Sequence, residues 1–99
     1  MIIGVDCLTE HIPVGKSEAI SAEKLSKLLA IERRDLRRIV EKARRTGVLI
    51  CGDDSGYYFA GNFEEMTAYV QRVRGRIRTA SICLAPFIRK IKESERGGS

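Results

Sequence analysis

The stretch SAEKLSKLLAIERRDLRRIVEKARRTG, residues 21–47, predicts two short helices joined by a tight turn. Its apolar side chains recur at spacings that let two helices, crossing at a steep angle, bury one shared core. Small Ser26 stands where the second helix must pass close by. The second helix is crowded with arginine, so we expect a strongly positive outer surface. The shared core is predicted to contain Leu25, Leu29, Ile31, Leu36 and Ile39.

Local signals set the ends of these two helices. Ser21 is a good N-cap for a helix over 22–29, because its hydroxyl can accept a hydrogen bond from an unpaired amide of the first turn. The turn follows at Ala30, and the second helix is predicted from about residue 33 to 46. Gly47 can adopt the left-handed conformation that commonly ends a helix.

Shorter elements flank this pair. Val5, Leu8 and Ile12 share one helical face, which predicts a first helix from about Gly4 to His11 before Pro13 and Gly15. Ile20 is expected to contribute a strand of two or three residues. The sequences VLIC and YYFA, joined by GDDSG over residues 52–56, form the pattern of a β-hairpin.

Residues from Ser21 to Gly61 carry a family resemblance. The segment LSKLLAIERRDLRRIVEKARRTGVLICGDDSGYYFAG resembles the winged helix-turn-helix DNA-binding domains of biotin-operon-repressor-like and DeoR-like bacterial regulators. This resemblance implies a three-helix core with a small sheet, an arginine helix in the major groove and the GDDSG hairpin as the wing. We therefore predict a mainly α protein with a small β-hairpin, of α+β class, with a winged-helix domain over 1–61.

Three features depart from the pattern of that family. Ala30 occupies a turn position that usually holds glycine, and a left-handed alanine costs about 1 kcal/mol. Glu32 stands where a Ser or Thr usually caps the second helix. Asp53 and Asp54 are expected at the wing tip, where they would repel phosphate, so we predict that the wing does not contact DNA.

The outer face of the arginine helix is the candidate binding surface. A helical wheel places Arg34, Arg38 and Arg45 opposite the apolar face. The N-terminal half is best placed for guanine edges and the C-terminal half for phosphates. An alternative is a merely solvated face, with Asp35–Arg38 and Glu41–Arg45 as surface pairs. The predicted guanine-reading residues are Arg33, Arg34, Arg37 and Arg38, and the predicted phosphate contacts are Lys42, Arg44 and Arg45.

A long helix is predicted after the hairpin, because Asn62 and Glu65 form a capping-box-like start and apolar residues then recur by threes and fours. We expect it over 62–93. Its first two turns are expected to cover the domain's own first helix, and the part beyond Ile77 is predicted to pair with a second copy. The residues that could cover the first helix are Met66, Tyr69, Val70 and Val73. The predicted dimer interface consists of Val73, Ile77, Ala80, Leu84, Phe87 and Ile91.

Several residues are expected to weaken or interrupt this helix, or to affect its outer surface. Pro86 cannot donate a backbone hydrogen bond, so either a kink or a separate short helix is expected there. Gly75 weakens the helix further. Four arginines at 72, 74, 76 and 78 could extend a DNA footprint or simply solvate the outer side. Residues 94–99 are expected to be a disordered tail.

Length, charge and cysteine content indicate which class of protein this is. The 99 residues indicate one domain, and the formal net charge is +5. Three scattered cysteines without a CxxC or Cys/His pair predict neither a zinc site nor a disulfide framework, so we expect a reduced cytoplasmic protein. The terminus MIIGVDCLTE lacks a charged stretch followed by a long apolar run, and no run contains about 20 apolar residues, so neither a leader nor a membrane helix is expected. His11 is the single histidine and lacks a partner for nucleophile activation, so no enzyme, cofactor or metal is predicted.

These features together predict a homodimer that binds double-stranded DNA and acts as a transcriptional regulator of bacterial or phage type. The competing hypothesis is an interaction module that has lost DNA binding and uses its basic helix or acidic wing to dock a protein. RNA is a weaker third possibility, because no exposed aromatic platform is evident.

Overall fold

The structure, a computed structural model, describes residues 4–97 and is mainly helical with one antiparallel hairpin, as the α+β prediction requires. Two compact units divide the chain, one ending at Tyr69 and the other beginning at Val70. The elements are α1 (Val5–Glu10), a 3₁₀ turn (Lys16–Glu18), α2 (Ala22–Leu29), α3 (Arg33–Arg45), β1 (Ile50–Asp53), β2 (Gly56–Phe59) and α4 (Phe63–Gly97).

The α2–turn–α3 segment has the predicted boundaries. Ser21 Oγ accepts a hydrogen bond of 3.1 Å from Lys24 N, which confirms the N-cap. Ala30 lies in the left-handed region with φ 55° and ψ 43°, and the amide of Ile31 donates to the carbonyl of Ser26 at 3.0 Å. Glu32 makes no side-chain cap of α3. The chain therefore turns between the helices at Ala30, in spite of the strain of a left-handed alanine.

One apolar core holds the N-terminal unit together. Leu8 of α1, Leu25 of α2 and Leu36 of α3 are fully buried, which confirms the shared core. Ile31 and Ile39, also expected there, are partly buried against it. The other buried members of this cluster are Ile12, Leu29, Val40, Ala43 and Ile50.

The loop before α2 forms backbone hydrogen bonds with the outer edge of the hairpin strand β2. Cys51 of β1 pairs with Tyr58 of β2, and the other side of β2 bonds to the loop. Ile20 and Tyr57 exchange two hydrogen bonds, of 3.0 and 2.8 Å. Gly56 has φ +128°, and a Cβ there would lie 2.1 Å from the carbonyl oxygen of Ile20, so the close approach requires glycine. Ile20 thus makes the expected strand-like contact as an isolated bridge.

The start of α4 is capped in part as predicted. Asn62 Oδ1 accepts the amide of Glu65 at 2.8 Å. Glu65 does not bond back to Asn62, because its Oε1 accepts instead from the amides of Gly61 at 2.8 Å and Lys16 at 3.2 Å. The Glu65 carboxylate therefore joins the helix start to the 3₁₀ turn.

The C-terminal unit consists of the remainder of α4. The helix continues through Gly75 and Pro86, so a separate helix does not begin at Pro86. It extends beyond the predicted end, and residues 94–97 of the expected tail are helical, whereas residues 98 and 99 lie outside the described range. In the described part of the chain, no helix is long and apolar enough to span a bilayer.

Candidate nucleic-acid interface

Helix α3 separates an apolar face from a cationic one. Leu36, Val40 and Ala43 are at most 1% exposed and anchor the helix in the core. The predicted contact residues all lie on the exposed part of the helix. The side chains of Arg33, Arg34 and Arg45 are 63%, 69% and 77% exposed.

Three of these cations have acidic neighbours at the surface. Arg33 lies 3.9 Å from Glu23 of α2, and Arg34 lies 3.4 Å from Glu32. Arg45 forms the expected pair with Glu41 at 2.6 Å. Exposed pairs of this kind contribute about 0 to 1 kcal/mol, so they can be exchanged for other anions.

Three other cations on α3 are uncompensated. Within residues 4–97, the side chains of Arg37, Arg38 and Lys42 make no hydrogen bond or ion pair. The expected Asp35–Arg38 pair is therefore not formed. We refer to Arg37, Arg38 and Lys42 as the open cluster.

Arg44 differs from the other predicted phosphate contacts, because it is bound to its own unit. Its Nε donates a 2.8 Å hydrogen bond to the carbonyl of Ile50, and its guanidinium lies 5.4 Å from the centroid of the Tyr69 ring. Gly52 leaves room for it, since a Cβ there would lie 3.3 Å from Arg44 Nη2. Arg44 thus fixes the base of the hairpin, a role that the helical wheel did not predict.

The hairpin is less acidic at its surface than the sequence suggested. Asp53 is only 7% exposed at its side chain, and its Oδ2 lies 3.6 Å from Lys16 Nζ. Its Oδ1 accepts the amide of Ser55 at 2.7 Å, which confirms turn chemistry at this position. Both aspartates therefore lie at the hairpin turn as expected, but the Asp53 side chain is nearly buried and Asp54 is the exposed one of the two.

Cysteine and histidine side chains are dispersed in the structure. Burial raises the pKa of the Cys51 thiol, while Cys7 and Cys83 are exposed and free. His11 Nδ1 lies 2.9 Å from the carbonyl of Cys7 at the end of α1. Among residues 4–97, no three His, Cys, Asp or Glu side chains are grouped closely enough to hold a metal ion.

Comparison with protein-family models, with curated proteins and with solved structures found no match to this chain. The structural features that bear on function are carried by α3, the hairpin and α4. Helix α3 has an exposed cationic face, and Arg44 fixes the hairpin to this helix. Helix α4 has an exposed apolar seam, which includes Ile77, Leu84, Phe87 and Ile91.

Proposed function

We propose that the N-terminal unit is a winged helix and that the chain binds double-stranded DNA as a homodimeric transcriptional regulator. Helix α3 enters the major groove with the open cluster facing the DNA. The observation that carries this proposal is the presence of Arg37, Arg38 and Lys42 on one exposed face without any compensating acid in the described chain.

Stability alone gives no reason for such a cluster. Arg38 and Lys42 are one turn apart, and like charges at that spacing weaken a helix by a few tenths of a kcal/mol. A polyanion reverses the sign of this effect, and duplex DNA presents about one negative charge per 1.7 Å of its axis. A DNA partner therefore explains a surface that otherwise costs stability.

The α2–turn–α3 geometry supports the same partner. Buried Ser26 lets the helices approach, and its hydroxyl donates to the carbonyl of Glu23 at 2.8 Å. In helix-turn-helix proteins the second helix presents its N-terminal residues to base edges. Arg33 and Arg34 occupy that end of α3, and their weak surface pairs can be exchanged for guanine acceptors.

The exposed seam of α4 supports a homodimer. Ile77, Leu84, Phe87 and Ile91 are each more than half exposed. Large apolar side chains exposed in a regular row mark an interaction surface. A two-fold symmetric dimer also provides the paired half-sites that most helix-turn-helix proteins use.

The experiment that tests this proposal is a titration of random-sequence duplex DNA at 50 and 200 mM salt. If six phosphates are contacted, affinity should fall by about a thousandfold between these concentrations. The variant Arg38→Ala/Lys42→Ala should bind more weakly and lower the slope of log K against log salt concentration by up to about two for each protomer that contacts DNA.

The matched control is Arg89→Ala/Lys92→Ala, which removes the same charge from outer positions of α4. It should leave the salt slope within about half a unit of the parent value. Equal loss in both variants would show that only net charge matters. Absence of DNA binding at low salt, together with salt-insensitive binding to a protein, would establish the interaction module instead.

A further inference from the structure

Charge is divided unevenly between the two units. Residues 4–69 carry ten basic and eleven acidic side chains, whereas residues 70–97 carry eight basic and two acidic. The net positive charge of the protein therefore belongs to the C-terminal unit. Its first part holds Arg72, Arg74, Arg76 and Arg78, and the next ten residues, 79–88, contain no charged side chain.

Apolar residues in this unit follow heptad positions a and d. Val70, Ile77, Leu84 and Ile91 occupy a, and Val73, Ala80 and Phe87 occupy d. No residue of α4 is buried, and the residues at these positions are exposed except for Val73, which is partly covered. Pro86 and Gly75, the two residues that weaken the helix, stand at positions c and f outside the seam.

We propose that the C-terminal unit pairs with the same unit of a second copy in antiparallel orientation, with the two helices crossing between Arg78 and Thr79. This inference rests on the homodimer of the proposed function and adds its orientation. At that crossing point, every seam residue from Val70 to Phe87 lies opposite a seam residue of the partner, with a positions facing d positions.

The sizes of the facing side chains favour this orientation. Val70 meets the partner's Phe87, Val73 meets the partner's Leu84, and Ile77 meets the partner's Ala80. Each layer combines a larger and a smaller side chain, the condition under which facing layers interdigitate. Parallel pairing would instead place Ala80 against Ala80 and Phe87 against Phe87, leaving a void in one layer and crowding another.

The distribution of charge favours the same orientation. Antiparallel pairing places the four arginines at 72–78 opposite the uncharged residues 79–85 of the partner. Of the four, Arg78 alone lies nearly level with the same residue of the partner, beside the crossing point. Parallel pairing would set the two arginine clusters side by side, within a Debye length of about 8 to 10 Å. The parallel arrangement would offset this repulsion only by an exposed ion pair between Lys90 and the partner's Glu95, which occurs twice by symmetry. Exposed ion pairs of this kind contribute little to stability.

Disulfide trapping tests this orientation. In a background of Cys7→Ser/Cys83→Ser, one protein carries Val73→Cys and another carries Leu84→Cys. Mixed and mildly oxidised, the two should form a heterodisulfide, while Val73→Cys alone should not crosslink. In the antiparallel pair, two Val73 positions lie about 16 Å apart, beyond the reach of a disulfide.

Replacing Leu84→Cys by Ile82→Cys, at an outer position of the same helix, gives the matched control and should not crosslink. Efficient homodimer crosslinking of Val73→Cys alone would establish parallel pairing and overturn the inference. A monomeric mass by light scattering would overturn it as well. If the heterodisulfide forms but the protein does not bind DNA, the antiparallel orientation is supported and the proposed function is refuted. If a parallel dimer binds DNA, the proposed function is supported and the antiparallel orientation is refuted.

Discussion

Replacing Arg44 by alanine tests whether this side chain supports the hairpin or serves only as a cation for DNA. Alanine removes the 2.8 Å hydrogen bond to Ile50 and the contact with the Tyr69 ring. A hydrogen bond from a charged donor contributes about 1.5 kcal/mol at the lower end of its range, which suits a partly exposed arginine. The ring contact adds about 0.5 kcal/mol. We therefore expect a loss of about 2 kcal/mol in the free energy of unfolding.

Urea denaturation at fixed protein concentration measures this loss, and thermal unfolding should show a decrease in Tm of about 10 °C. Arg44→Lys keeps the charge but cannot reproduce the planar donor, so it should recover less than half of the loss. Arg38→Ala is the matched control and should change stability by less than about 0.5 kcal/mol. If Arg44→Ala is as stable as Arg38→Ala, the assignment of Arg44 to the hairpin is wrong.

Three further predictions concern DNA reading, assembly and the hairpin. For each protomer that contacts DNA, Arg38→Ala should cost about 1 to 3 kcal/mol on a selected site and less on random duplex. Arg45→Ala should instead weaken all sequences alike and lower the salt slope by about one per protomer. Equal behaviour of the two variants in fluorescence anisotropy would refute this division. Leu84→Asp should convert the dimer to monomers in light scattering, because it places charges in an apolar seam, while Ile82→Asp should not. Gly56→Ala should lower the free energy of unfolding by about 3 kcal/mol, since it adds backbone strain and a clash with a carbonyl, and a change below about 1 kcal/mol in urea denaturation would contradict that geometry.

Sequence reasoning succeeded where local chemistry decides the structure. Ser21 caps α2 and Ala30 turns left-handed because these features depend on a few neighbouring residues. The inward positions of α3 followed from helical periodicity, which fixes the direction in which each side chain leaves the axis. The hairpin followed from two apolar runs joined by a Gly- and Asp-rich turn.

Long-range side-chain contacts were beyond such reasoning. A helical wheel places Arg44 at the surface, but it does not reveal that the guanidinium reaches Ile50 and Tyr69. The sequence predicts Asp53 at the hairpin tip, but it does not reveal that Lys16 lies beside this residue or that its side chain is nearly buried. The pairing of α4 with a second copy is a prediction from its a/d periodicity, its exposed apolar residues and its charge distribution, and crosslinking and light scattering test it.

The bonds between the loop and β2 also bear on aggregation. An unpaired strand edge offers donors and acceptors to strands of other molecules. In β2, Tyr57 is bonded to Ile20, and Phe59 exchanges its backbone groups with Pro13 and Gly15 at 2.8 and 2.7 Å. The outward-facing backbone of this strand is therefore already occupied. The loop therefore removes the β2 edge as a site for pairing with strands of neighbouring molecules.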